Sequence, residues 1–331
     1  MLDDDRHAVT PIAGGGPWRL AVRRLRANRV ALAFGALFAV LVALALAAPL
    51  WGHVAGTTPS RNHLADTIVI DGQRLDVVTD DRVPIGPTWR AKYFLGADGN
   101  GRDVAVRLLY GARNSLFIGV AATLISVLLA VTLGLLAGYL RGWVDAVVSR
   151  GLDVVWAFPV LLLGIALGVA LARDGLRLGP LSINGGSKWI PTLIIGIIGA
   201  VYLARPLRGL VLSLREQDFV EAARAQGAGP LRIMVGELLP NLTSTILVFV
   251  PLLVANAILL EGALSFLGAG VRPPDPSWGT MIGDGVDLLT SAPHLTIVPG
   301  VMLVATVLAL NVLGDGVRDA LDPRAKVRLE R

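Results

Sequence analysis

The chain has 331 residues, of which 54% are hydrophobic and 17% charged, with a mean hydropathy of +0.65 and a formal net charge of +5. Soluble domains carry about 25% charged residues, so this composition excludes a pair of ordinary water-facing domains. Without cysteine there are no disulfides, thiolate metal sites or cysteine nucleophiles. None of the lysines (Lys92, Lys188, Lys326) follows a glycine, which removes the phosphate-binding loop whose glycine precedes its lysine.

His7, His53, His63 and His294 are scattered without metal-ligand spacing, and no metal site is expected. Residues 1–29 hold six arginines (Arg6, Arg19, Arg23, Arg24, Arg26, Arg29) and a Gly14-Gly15-Gly16 run expected to be disordered. In so apolar a chain, this excess reads as cytoplasmic anchoring of membrane helices rather than nucleic-acid binding. The first charge-free run is Val30–Leu50. It is longer than the roughly 7–15 residues of a signal-peptide core, so it reads as a retained anchor.

Residues 51–113 form one long loop. Within it, Thr67–Ile70, then Asp71-Gly72, then Gln73–Val78 predict a β-hairpin on a type I′ turn. Asp98-Gly99-Asn100-Gly101-Arg102-Asp103 alternates oxygen ligands but lacks the downstream glutamate of a calcium loop. Tight turns capped by Asp and Asn are the simpler reading. Five further apolar runs follow: Asn114–Leu140, Val154–Ala172, Trp189–Ala204 (apolar onward to Leu214), Leu238–Leu260 and Leu295–Gly314. A bilayer core of about 30 Å needs roughly 20 helical residues, so six spans are predicted. Arg141, Arg150, Arg205, Arg208, Arg215, Arg224, Arg232 and the tail cations (Arg318, Arg324, Lys326, Arg328, Arg331) fall on the side of residues 1–29. Both termini, including the tail 324–331, are therefore expected to be cytoplasmic.

Two loops stand out. In residues 266–294, Pro273-Pro274-Asp275-Pro276 forbids helix locally and precedes Ser277-Trp278-Gly279. Trp278 reads as an interfacial anchor or as part of an external docking surface with Arg102 and Asp103. Residues 215–240 read as two short helices: Asp218 as N-cap, Gly227 as the left-handed end of the first, Pro230 in the first turn of the second. Leu231, Met234, Val235 and Leu238 give the second an apolar stripe. The pair serves either as a surface connector or as a helix that docks in a partner's groove.

Glu221-Ala222-Ala223, Gly227 and Leu239-Pro240 resemble the EAA loop of bacterial ABC-importer permeases. Further segments narrow the resemblance to the C-type subunit of the dipeptide/oligopeptide group. They are Leu95–Asp98 with Gly101–Asp103, Tyr110–Leu116, Glu261–Gly268 with Pro276–Gly279, and Asn311–Pro323. The resemblance spans roughly residues 19–50 and 84–323. Glu237 departs from the isoleucine of the general EAA pattern, and the 67–78 hairpin reads as an insertion.

The resemblance implies an all-α membrane protein of the type I importer-permease kind, with its core over 114–323. It also implies a homologous second permease, two ABC ATPases carrying ATP and magnesium, and an extracytoplasmic substrate-binding protein. This chain would bind no cofactor. Glu221, Ala222, Ala223, Gly227, Leu239 and Pro240 would couple the spans to the ATPases. Polar groups that lipid rejects are the pathway or gate candidates: Asn256 and Glu261, with Asn311 and Ser126 weaker; Glu261, toward the external end, reads alternatively as interfacial or as hydrogen-bonded to the 266–294 loop. Import of nickel chelates or glutathione is the alternative within the class. A secondary transporter is the alternative outside it, but no carboxylate occupies a span centre and no internal repeat is visible.

Overall fold

The computed structural model describes residues 17–70 and 72–321. The glycine run 14–16, Asp71, Asp322-Pro323 and the tail cations from Arg324 onward lie outside the described residues.

Helix α1 (Pro17–Ala27) carries Arg19, Arg23, Arg24 and Arg26 and leads into α2 (Arg29–Leu46), whose N-cap Asn28 accepts from Ala31 N at 3.0 Å. The first span breaks at Ala47, because Pro49 opens a new helix, α3 (Ala48–Ala55), which ends at Gly56 in the left-handed region. In the long loop, β1 (Thr67–Ile70) and β2 (Gln73–Asp76) pair antiparallel, Ile70 opposite Gln73. Val77, Val78, Tyr93 and Ala97 form a small buried cluster beneath them, which Ile68 joins.

Helix α4 (Val104–Leu140) has 37 residues, about 55 Å of helix. That exceeds the bilayer core, so it begins ten residues before the charge-free run and shortens the expected 51–113 loop. The third run differs more. α5 (Gly142–Ala157) and α6 (Val160–Asp174) meet at 91°, not as one straight span. Pro159, which cannot continue a helical hydrogen-bond ladder, sits at the break. Strands β3 (Leu176–Leu178) and β4 (Leu181–Ile183), absent from the sequence reading, form a short hairpin before α7 (Trp189–Leu214).

Helix α8 (Asp218–Ala225) follows, then α9 (Pro230–Arg232). α9 is no separate second helix. It runs through a π-helical turn, Ile233–Leu238, into α10 (Leu239–Phe266). The expected stripe is split: Met234 and Leu238 are buried, Leu231 and Val235 exposed. α11 (Trp278–Val286) and α12 (His294–Leu321) complete the chain. Among the described residues, five helices are long and apolar enough to span a membrane, six if the bent pair counts as one.

Helices α4 and α7 cross closely. A Cβ on Gly134 would lie 2.9 Å from Leu207 Cβ, and one on Gly138 would lie 2.7 Å from Val211 Cβ. In lipid, where apolar burial drives little association, such small residues let dispersion hold helices together. The largest buried cluster surrounds this crossing and includes Leu203, Leu207, Val211, Val220, Leu238 and Leu242.

Candidate coupling loop and translocation face

Val220 anchors α8 by complete burial in the α4–α7 cluster. Its N-cap is Gln217 rather than Asp218, which occupies the first helical turn together with Glu221. Carboxylates there complement the helix dipole. Glu221, Ala222 and Ala225 are exposed, while Ala223 is half-buried. At the other end Gly227, at φ +82°, donates to Arg224 O at 2.9 Å, and Ala228 N donates to Ala223 O at 3.0 Å. These paired bonds are a Schellman cap. Arg224 stacks 5.6 Å from the Tyr139 ring, and Arg215 Nη1 donates to Tyr139 O at 2.7 Å, tying the loop to the end of α4. Leu239 and Pro240 open α10, some distance along the chain from the α8 face.

Two ion pairs escaped the sequence reading. Arg208 Nη2 donates to Asp145 Oδ2 at 2.6 Å, and Arg205 Nη2 to Asp153 Oδ1 at 2.8 Å, clamping α5 to α7. The available signal was a pair of arginines, Arg205 and Arg208, inside an otherwise apolar helix facing aspartates in the preceding segment.

The pathway candidates separate. Asn256 is exposed and lines a cleft of about 440 Å³ with Ser126, Tyr202 and Leu161. Ser126 already donates to Gly196 O at 2.8 Å. Asn311 lines a different cleft, about 470 Å³, with Phe249, Leu252 and Arg318. Glu261 lines neither. It is fully buried, accepts from Ser265 Oγ at 2.6 Å, and lies beside Ser115 and Ser277. Ser265 Oγ in turn accepts from Val271 N at 2.9 Å. Through Ser265, Glu261 Oε1 ties α10 to the 267–277 loop, while its Oε2 is buried without a hydrogen-bond partner among the described residues.

The docking-surface expectation is also corrected. Trp278 and Asp103 are fully buried and Arg102 nearly so. Asp103 caps α4, accepting from Val106 N at 3.0 Å and Tyr93 N at 2.6 Å. Burial pushes its carboxyl up, against those two backbone hydrogen bonds. Burial also pushes the Tyr93 phenol up to about 12. Arg102 Nε donates to Asp98 Oδ2 at 2.7 Å, and Arg102 and Arg107 each reach Asp284 Oδ2 at 3.1 Å. Asp98 Oδ1 accepts from Asn100 N and Arg102 N. The carboxylate oxygens of Asp98 and Asp103 are thus engaged with this chain's own donors, and the network fastens the long loop to α11.

The model of the binding-protein-dependent transport system inner membrane component family matches residues 130–327, from mid-α4 through the 215–240 loop and beyond α12. The chain belongs to this permease family. A second model, the N-terminal TM domain of oligopeptide transport permease C, matches residues 16–64, which hold α1 to α3. Three relatives align over nearly the whole permease. The dipeptide transport system permease protein DppC of Alkalihalophilus pseudofirmus is 37% identical, covering 94% of this chain and 91% of that protein. The glutathione transport system permease protein GsiD of Pectobacterium atrosepticum is 35% identical, covering 94% and 92%. The oligopeptide transport system permease protein OppC of Bacillus subtilis is 34% identical, covering 93% and 90%. A solved structure of the MetNI methionine ABC transporter, inward facing, aligns with a TM-score of 0.52 at 19% identity, covering 65% of this chain and 96% of that one. That likeness concerns the fold. The permease is accordingly a multi-pass inner-membrane protein with the type I importer fold, serving transport.

Proposed function

We propose that this permease forms half of the translocation pathway of an ATP-driven importer of di- and oligopeptides. A homologous second permease supplies the other half. Two ABC ATPases dock on the EAA loop, and an extracytoplasmic binding protein delivers substrate. ATP and magnesium belong to the ATPases, consistent with the missing glycine–lysine pair. The observation that carries the reading is α8: a short helix rooted by buried Val220, with Glu221 and Ala222 exposed and a rigid glycine cap. Small exposed residues let a partner's groove approach the helix backbone. Asn256 is the favoured pathway residue, since its amide is exposed in a cleft between α4, α6, α7 and α10. The arginine distribution supports cytoplasmic placement of both termini and the EAA loop.

Peptide transport is supported by the DppC and OppC relatives. The test is purification of the tagged permease from its native membrane, identification of co-purifying chains, and uptake of a labelled tripeptide by the reconstituted complex. An ATPase pair together with ATP-dependent uptake supports the reading. Uptake that proceeds without ATP defeats it, and glutathione outcompeting every short peptide would reassign the substrate.

A further inference from the structure

We propose that the cleft between α2 and α4 binds one membrane phospholipid bearing an ammonium headgroup, with the phosphate held by Arg113 and Lys188. This inference goes beyond the importer reading and does not rest on it. The cleft has a volume of about 630 Å³; Phe38 and Val42 of α2 and Val120 and Leu124 of α4 form part of its wall. Arg113, Lys188 and Asp275 also line it.

The charges are available. Arg102, Arg107, Arg205 and Arg208 all have carboxylate partners. Among the described residues, Arg113 and Lys188 have none. Arg113 stacks 5.5 Å from the Tyr110 ring, and Lys188 Nζ sits 4.5 Å over the Phe117 ring. Phe117 in turn meets Trp189 edge-on at 5.3 Å. Aromatic side chains gathered around cations mark the headgroup level of a bilayer. Asp275 offers the complementary acceptor for an ammonium.

The depth fits one acyl chain. Arg113 and Leu124 are eleven residues apart on a continuous helix, about 16 Å, close to half of a hydrocarbon core of about 30 Å. The wall is apolar and open, with Val120 44% and Leu124 66% exposed. A peptide would match the two charges but would leave its backbone amides unpaired against this wall.

The test uses the full-length permease co-purified with its partner chains. Native mass spectrometry with added phosphatidylethanolamine should show one retained lipid. Arg113→Ala combined with Lys188→Ala should weaken retention about thirty-fold, since each cation near a headgroup contributes about a fivefold effect. Arg113→Lys with Lys188→Arg should restore it, and Arg318→Ala, outside the cleft, should leave it unchanged. Unaltered retention in the double alanine variant overturns the proposal. A photoreactive residue at Leu124 in the otherwise natural chain gives an independent readout in vesicles of phosphatidylethanolamine and phosphatidylglycerol. An adduct of phospholipid mass supports the site. An adduct on a neighbouring polypeptide, or on added tripeptide, overturns it.

Discussion

If the 215–240 loop couples the spans to the ATPases as proposed, Gly227 is the position where one substitution should separate coupling from folding. Its φ of +82° places it in the left-handed region, and a Cβ there would meet nothing within 4 Å. The cost of a side chain is therefore conformational, about 1–2 kcal/mol for an ordinary L-residue, and not a clash. That cost lowers the ratio of capped to uncapped loop by a factor of about 5–30, and it acts on the two hydrogen bonds from Gly227 N and Ala228 N. Gly227→Ala should reduce transport by no more than about thirty-fold. Gly227→Val, whose β-branched side chain is least tolerant of positive φ, should bring it near background. Gly227→Asn, which enters the left-handed region readily, should stay close to the natural protein. Membrane insertion should be equal in all three, because the loop lies outside the spans. The assay is substrate-stimulated ATP hydrolysis and peptide uptake by the complex in proteoliposomes, with chain abundance measured in parallel. Full stimulation in Gly227→Val, or an Asn variant as impaired as the Val variant, would refute the reasoning.

Three other outcomes follow from the packing. Gly138→Leu should lower thermal stability in detergent by overpacking against Val211 and the Arg208 carbonyl, a cost of about 1–3 kcal/mol; an unchanged melting point would contradict the close α4–α7 crossing. Glu261→Leu should loosen the 267–277 loop to proteolysis by stranding the Ser265 hydroxyl, whereas Glu261→Gln, which keeps an acceptor, should resist cleavage like the natural chain. Alkaline absorbance titration should show one of the four tyrosines ionising only near pH 12, and Tyr93→Phe should remove it. Because the folded value is raised above the ordinary 10.0, the folded state holds a proton the unfolded chain has lost. Stability should then fall as pH rises from about 10 to about 12, and this loss should be absent in the phenylalanine variant.

The spans were legible because their signal is local. Lipid demands continuous apolar length, and runs such as Leu295–Gly314 announce it without knowledge of neighbours. The Gly227 turn was legible for a similar reason, since a Gly-x-Gly-Pro run punctuates the backbone wherever it occurs. The extent of α4 was not. Arg107 looks like a loop residue until Asp98, nine residues earlier, and Asp284, far along the chain, neutralise it inside the fold.

The same division separates the site residues. Sequence by itself determined an apolar, multi-span chain with arginines concentrated in its N-terminal segment, between residues 205 and 232 and in its tail, no phosphate loop of its own and a glycine-bearing loop between spans. Each follows from composition or from residues close along the chain. Tertiary structure decided which polar residues face open space. Asn256 and Glu261 are five residues apart on one helix, yet one opens into a cleft and the other is sealed beside Ser115, Ser265 and Ser277. Trp278, Arg102 and Asp103 read as surface and are interior. Burial depends on which helices come together, and that depends on packing between segments far apart in the sequence, such as Gly138 against Val211.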